Sequence, residues 1–304
     1  MYKKILFFTL MFILTAGTFF LTGCVEQETE VNSVKINVMV SVLPQVDFVE
    51  RIGGDQVQVS EMIPPGFSPA TYEPSPDQIK KLQDADIYFR IGHIPFEKAQ
   101  MSKLISINSE MEVVDTSVGI KLLTLAVHHH EGEEEHEHED KKEGDDPHIW
   151  LSPKLVKIQA EHIYNALVAY SPDNKQYFTD NYNQFIADLD QLDNTLVSAF
   201  APIKGQTILV FHPAFGYLAD AYGFHQEAIE IEGKDPTPVE LQRIISEARA
   251  DNAKVVFVQA QFSTKSAEAV ANEISGVVVQ IDPLAPDYFA NLESMAEIIV
   301  DALK

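Results

Sequence analysis

Residues 171–200 read SPDNKQYFTDNYNQFIADLDQLDNTLVSAF. Within them Phe178, Tyr182, Phe185, Leu189, Leu192, Leu196 and Phe200 recur at steps of three and four, which lays one apolar stripe along an α-helix. Continued over about 30 residues, such a helix is about 45 Å long. Pro172 behind Ser171 suits its first turn. A helix of that length can lie across two lobes as a spine, or it can be an ordinary amphipathic helix of one lobe. Its length favours the spine.

On both sides short apolar runs alternate with amphipathic ones. Upstream, strands are expected at Ile36–Val42, Val57–Ile63, Asp86–Ile91 and Glu112–Asp115. A helix is expected from Pro44 to Gly53, another opening at Ser75-Pro76-Asp77-Gln78, and a third from Ser152-Pro153 to Tyr170. Ser75 with Gln78 forms a capping box around a proline at the first helical position. Downstream, strands are expected at Thr207–Phe211, Glu227–Ile231, Lys254–Gln259 and Val277–Ile281. Helices fall near Pro213–Tyr222, from Thr237-Pro238-Val239-Glu240 (a second capping box) to Ala250, at Ser263–Ser275 and at Asp287–Leu303. Strands that alternate with helices pair in parallel, because each crossover returns over the sheet. The expected fold is α/β: two lobes of parallel sheet flanked by helices, linked by one long spine helix, with a cleft between the lobes.

The amino terminus reads as a processing signal. Lys3 and Lys4 precede an apolar run from Ile5 to Phe20, and Leu21-Thr22-Gly23 leads into Cys24. That pattern looks like a lipoprotein signal, with Cys24 as the lipidated first residue. A retained membrane helix is the alternative, and the run is short for a span of about 20 residues. Cys24 is the only cysteine, so no internal disulfide staples the fold. The expected divisions are residues 1–23 as signal, 24–34 as tether, 35–170 as the first lobe, 171–203 as the linking helix and 204–304 as the second lobe. The protein is expected outside the cytoplasm, lipid-anchored to the outer face of the cell membrane or periplasmic, and monomeric. A formal charge of −24 makes nucleic acid an unsuitable partner, because phosphate binding needs a basic face.

Residues 127–146 differ from their surroundings. His128, His129, His130, His136 and His138 are half of the ten histidines, and they alternate with carboxylates from Glu131 to Asp140. The segment has no apolar periodicity and reads as a disordered insertion in the first lobe. Its imidazoles and carboxylates suit loose binding of extra metal, or they belong to a solvated acidic loop.

Four other residues stand past strand-like runs or beside such an end. His212 follows Ile208–Phe211, Asp282 follows Val277–Ile281, His93 follows Ile87–Gly92, and His148 lies in Asp145-Asp146-Pro147-His148-Ile149-Trp150. Open parallel sheets bind ligands outside the carboxyl ends of their strands. Imidazoles and a carboxylate brought there are the side chains that hold zinc.

Five stretches carry a resemblance: residues 64–76 (Pro64-Pro65-Gly66 through Ser75-Pro76), 146–153 (Asp146-Pro147-His148 through Ser152-Pro153), 211–217 (Phe211-His212-Pro213 through Tyr217), Gln261-Phe262-Ser263 and Ile281-Asp282-Pro283-Leu284. In this order the chain resembles the zinc/manganese solute-binding lipoproteins of ABC importers, and its acidic histidine-rich insertion sits in the family's place. The resemblance implies a non-enzymatic receptor that captures a divalent ion in the inter-lobe cleft and delivers it to permease subunits. It implies metal ligation by His148 from one lobe and by His212 and Asp282 from the other. A histidine at 212 points to Zn2+ over Mn2+, which prefers harder oxygen donors.

One position departs from the family: Ala70 stands where a ligand histidine is usual. His93, near a neighbouring strand end, can replace it. Glu73, water or a histidine of the insertion can complete the shell instead. Otherwise the site is weakened or serves another solute. Two other function classes were weighed. A zinc hydrolase would use the place opposite Ala70 for a catalytic water, but no His-Glu-x-x-His helix or Gly-x-Ser-x-Gly elbow is present. A surface adhesin would need a partner-binding face that the sequence does not display.

Overall fold

The computed structural model describes residues 35–125, 144–230, 234 and 236–304. The signal, Cys24, the tether and His128, His129, His130, His136 and His138 lie outside the described residues. The first half contains β1 (Ile36–Val40), α1 (Pro44–Gly53), β2 (Val57–Glu61), α2 (Pro76–Gln83), β3 (Ile87–Arg90), α3 (Pro95–Ile107), β4 (Glu112–Asp115) and α4 (Pro153–Tyr170). The long helix α5 follows (Lys175–Phe200), entered and left through single 3-10 turns. Then come β5 (Thr207–Val210), α6 (Gly216–Tyr222), β6 (His225–Ala228), α7 (Pro238–Ala250), β7 (Val255–Gln259), α8 (Lys265–Glu273), β8 (Val277–Ile281) and α9 (Tyr288–Ala302).

Each half builds one four-stranded sheet, ordered β2-β1-β3-β4 and β6-β5-β7-β8, and every pairing is parallel. The two sheets therefore repeat one topology. In each, the chain runs first to one side of the opening strand and then to the other. That reversal lies between β1 and β3 in one sheet and between β5 and β7 in the other. Loops diverge at such points and leave a crevice at the strands' carboxyl ends.

Local chemistry accounts for most element boundaries. Ser75 accepts from the backbone of Gln78, and Thr237 from that of Glu240, and both capping boxes close as expected. Asp287 caps α9 by accepting from Ala290. Ser152 holds the N-cap position of α4, but its side chain makes no capping bond; its carbonyl starts the helix instead. Strand β6 begins two residues before the expected Glu227. Helix α3 has no counterpart among the sequence expectations. Its buried residues are Phe96, Glu97, Met101 and Leu104, while Ile105 is exposed, so a carboxylate interrupts the apolar stripe that would announce it.

The spine binds both halves. Its stripe of Phe178, Phe185, Leu189, Leu192, Leu196 and Phe200 is buried. Phe185 meets Phe48 of α1 at 5.8 Å and Phe289 of α9 at 6.1 Å between ring centroids. Phe48 also packs edge-on against Tyr288 at 4.9 Å, and the guanidinium of Arg51 lies 4.1 Å from the Phe289 centroid. Arg51 further pairs with Asp47 and, on the spine, with Asp188. Val38 and Phe89 of the first sheet share a continuous buried core with Val210 and Phe257 of the second. Alternate residues Leu209, Val256 and Val258 face the other way and form a smaller core under α7 and α8. Phe185→Ala should therefore lower unfolding free energy by about 3–5 kcal/mol in denaturant titration, the usual cost of emptying a buried aromatic site. A loss under about 1 kcal/mol would show that the spine is not needed to join the halves.

Candidate metal centre

Strand β5 delivers His212 to its site. Past Val210, the buried Phe211 continues the strand direction and His212 emerges at the carboxyl edge. The side chain of Gln259, at the end of β7, fixes the backbone there: it accepts from the His212 amide at 3.2 Å and donates to its carbonyl at 2.7 Å. The ring stacks on Phe262 at 4.9 Å. Its Nδ1 lies 3.1 and 3.0 Å from the two carboxylate oxygens of the nearly buried Glu230. Burial lowers the His212 pKa below the usual imidazole value, against the upward pull of Glu230.

His148 arrives from the first half, on the turn before α4. One oxygen of Asp146 accepts both the His148 backbone amide at 2.9 Å and its Nδ1 at 2.7 Å. Trp150 flanks the ring at 5.2 Å and donates its indole N–H to the carbonyl of Pro283, in the turn between β8 and α9. His148 is thus seated against the second half.

The two imidazoles meet. Nε2 of His148 is 3.3 Å from Nε2 of His212. A carboxylate only accepts hydrogen bonds, so each Nδ1 carries the proton and each Nε2 presents a lone pair. Zn–N bonds of about 2.0–2.1 Å at a tetrahedral angle separate two donor nitrogens by about 3.3–3.4 Å. The separation of this pair fits one zinc ion. The carboxylate on each far nitrogen is the outer arrangement that orients metal-binding histidines.

Around the pair opens a cavity walled by Pro69, Ala70, His93, Trp150, Pro283 and Leu284, among others. His93 lines it, with Nδ1 3.2 Å from Oδ2 of the exposed Asp145. Its turn touches the loop of Ala70, because the Phe96 amide donates to the Pro69 carbonyl. Asp282 stands directly before Pro283, but one of its oxygens accepts from Gln261 Nε2 and from the Leu284 amide, both at 2.9 Å. Glu73 is exposed and is not part of the cavity wall. Among the described residues, no third His, Cys, Asp or Glu joins the His148–His212 pair as a ready metal-holding group. His162 and His225 lie elsewhere, the first bonded to the Val118 carbonyl and the second on β6.

A short neck borders the cavity. Leu125 and Gly144 are joined by an amide–carbonyl bond, Asp146 donates its amide to Leu123, and Thr124 bridges Asp145. The Tyr217 hydroxyl accepts from the Leu123 amide and donates to the Asp146 carbonyl, both at 2.9 Å.

Sequence reasoning did not assign the supporting carboxylates. Asp146 carried a local signal, since an Asp two residues before a histidine can close a turn on it. Glu230 was legible only through register: Val210 pairs with Ala228, which carries His212 and Glu230 to one level.

Three comparisons bear on this arrangement. The family model described as ZnuA, zinc-uptake complex component A, periplasmic, matches residues 38–302. The high-affinity zinc uptake system protein ZnuA of Bacillus subtilis (strain 168) is 30% identical over 277 residues, covering 87% of this chain and 84% of that protein. A crystal structure of ZnuA aligns with TM-score 0.81 and 38% identity over 89% of this chain and all of that one. A ZnuA mutant lacking its residues 138–173, with zinc bound, aligns with TM-score 0.80 and 38% identity over 88% of this chain and 98% of that one. By sequence over most of its length, and by the fold that brings His148 and His212 together, the chain belongs to the zinc-uptake complex component A family, the non-enzymatic, extracytoplasmic metal-binding components of ABC importers.

Proposed function

We propose that the ion captured by this chain is Zn2+, held by His148 and His212 and completed by His93 and Asp282. The observation that carries the reading is the 3.3 Å approach of two Nε2 atoms from opposite halves. Nitrogen-rich donor sets suit zinc, whereas manganese prefers oxygen. His93 takes the place of the donor missing at Ala70. It lines the same cavity, the Phe96 amide just past it is bonded to the Pro69 carbonyl beside Ala70, and the Asp145 carboxylate lies 3.2 Å from its Nδ1. Asp282 joins from beside the cavity-lining Pro283, through the carboxylate oxygen other than the one that accepts from Gln261 and Leu284. Four protein ligands make a closed site, suited to holding an ion and not to turnover.

The protein works as a monomer tethered through lipid on Cys24, and it hands zinc to permease subunits. The continuous core across both sheets supports release by movement of ligand loops, with the spine in place. The histidines from His128 to His138 bind further zinc weakly, through imidazoles that supplement the site at His148 and His212.

His148→Ala and His212→Ala should each lower zinc affinity more than about 100-fold in chelator competition, and His93→Ala about 10-fold or more. Glu230→Gln, which spares the ligand but changes its support, should cost about 10–100-fold. Zinc affinity equal to wild type in the His212 variant would remove the proposed centre. The pH dependence has a definite sign. Zinc needs neutral imidazole, and burial lowers the His212 pKa, which favours its neutral form. Affinity should hold between about pH 8 and 7 and fall by about pH 5, where protons compete; equal affinity at about pH 7.5 and 5 contradicts imidazole ligation. Deleting residues 128–144 should abolish weak multiple-ion binding and leave one tight site; unchanged stoichiometry would exclude a metal role for that segment.

A further inference from the structure

We infer that Glu97, a buried carboxylate outside the ligand set, is the positioning residue that holds His93 in place to bind the ion; the inference rests on the reading of His93 as a ligand. Past β3 the chain must leave the sheet and turn into α3 within a few residues. Gly92 makes the turn at φ +97°, and a Cβ there would come within 2.6 Å of an Asp115 oxygen and 2.7 Å of the Ser117 hydroxyl. Two consecutive backbone amides, those of Ile91 and Gly92, then point inward. Glu97 answers both, one carboxylate oxygen accepting from Ile91 at 2.8 Å and the other from Gly92. The Ser41 hydroxyl at the end of β1 also bonds the carboxylate, and that hydroxyl lies 3.0 Å from the Tyr88 hydroxyl of β3.

This closes the turn around His93. Its two preceding amides are anchored to the sheet end through Glu97, and on its other side the Phe96 amide is bonded to Pro69. Glu97 is 1% exposed, and burial raises its carboxyl to about 7. A buried carboxylate is a costly way to fill a core position, so its retention calls for a use that an apolar side chain cannot serve. Accepting two parallel N–H groups is such a use. Its place in the first turn of α3 also sets it at the positive end of that helix. Glutamine at this position would offer one acceptor and turn its amide N–H against the other backbone donor.

The test is a double-mutant cycle in the full chain, reading zinc affinity by chelator competition and the visible d–d spectrum of the Co2+-loaded protein. Glu97→Gln should weaken zinc about 10-fold, as loss of an outer support does. It should also move the Co2+ spectrum toward that of His93→Ala, and the double variant should bind no more weakly than His93→Ala alone. Wild-type affinity and spectrum in Glu97→Gln, or losses that multiply in the double variant, overturn the inference while the His93 reading stands. Wild-type affinity in His93→Ala removes both. Should Glu97→Gln not fold, amide exchange in the wild-type protein decides. Ile91 and Gly92 should be protected without zinc as well as with it, and free exchange of these amides in the zinc-free protein overturns the preset turn.

Discussion

The centre depends on where two protons sit. Asp146 and Glu230 can only accept, so each draws a proton onto the Nδ1 beside it and leaves a bare lone pair on the opposite nitrogen. The two Nε2 atoms stand 3.3 Å apart, and the fold must hold both rings in this arrangement. The surroundings do so with rigid neighbours: Gln259 on the His212 backbone, Phe262 on its face, and Trp150 bonded across to Pro283 beside His148. The two imidazoles are thus set in place by neighbouring groups, and a preset arrangement lowers the ordering cost of any binding there.

That rigidity extends to the frame. Phe185, Phe48, Tyr288 and Phe289 form an aromatic junction beneath the cleft, and the buried core passes through it without interruption. A wide swing of one half against the other would open apolar surface along this junction, at roughly 25 cal/mol for each Å2 exposed. Short turns beyond the strand ends carry no such cost. His93, His212 and Asp282 lie just past strand ends and His148 on the turn before α4, so these turns can move while the shared core stays closed.

Much of the fold was legible because its signals are local. The stripe from Phe178 to Phe200, the capping boxes at Ser75 and Thr237 and the apolar runs ending before His212 and Asp282 each fix an element from a few neighbouring residues. The exceptions have physical causes. Helix α3 was missed because Glu97 faces the core where an apolar residue would complete the pattern. Ser152 made a plausible cap by type, yet the helix begins through its carbonyl alone. The candidate ligands His148, His212, His93 and Asp282 could be nominated from strand ends. The spatial relation between them could not, because pairing His212 with Glu230 requires the β5–β6 register and seating His148 requires a bond from Trp150 to Pro283, 133 residues further on.

The neck beside the cavity has a consequence for how this chain can change. Tyr217 stitches Leu123 to Asp146, and the bond between Leu125 and Gly144 draws the same two segments together. Whatever leaves at 125 and returns at 144 is clamped at its base, and the clamp includes the residue that aims His148. Lengthening a loop whose ends are already joined adds only slowly to its closure entropy. Residues can therefore be gained or lost beyond the neck, and their composition can drift toward or away from histidine, while the imidazole a few positions downstream keeps its aim.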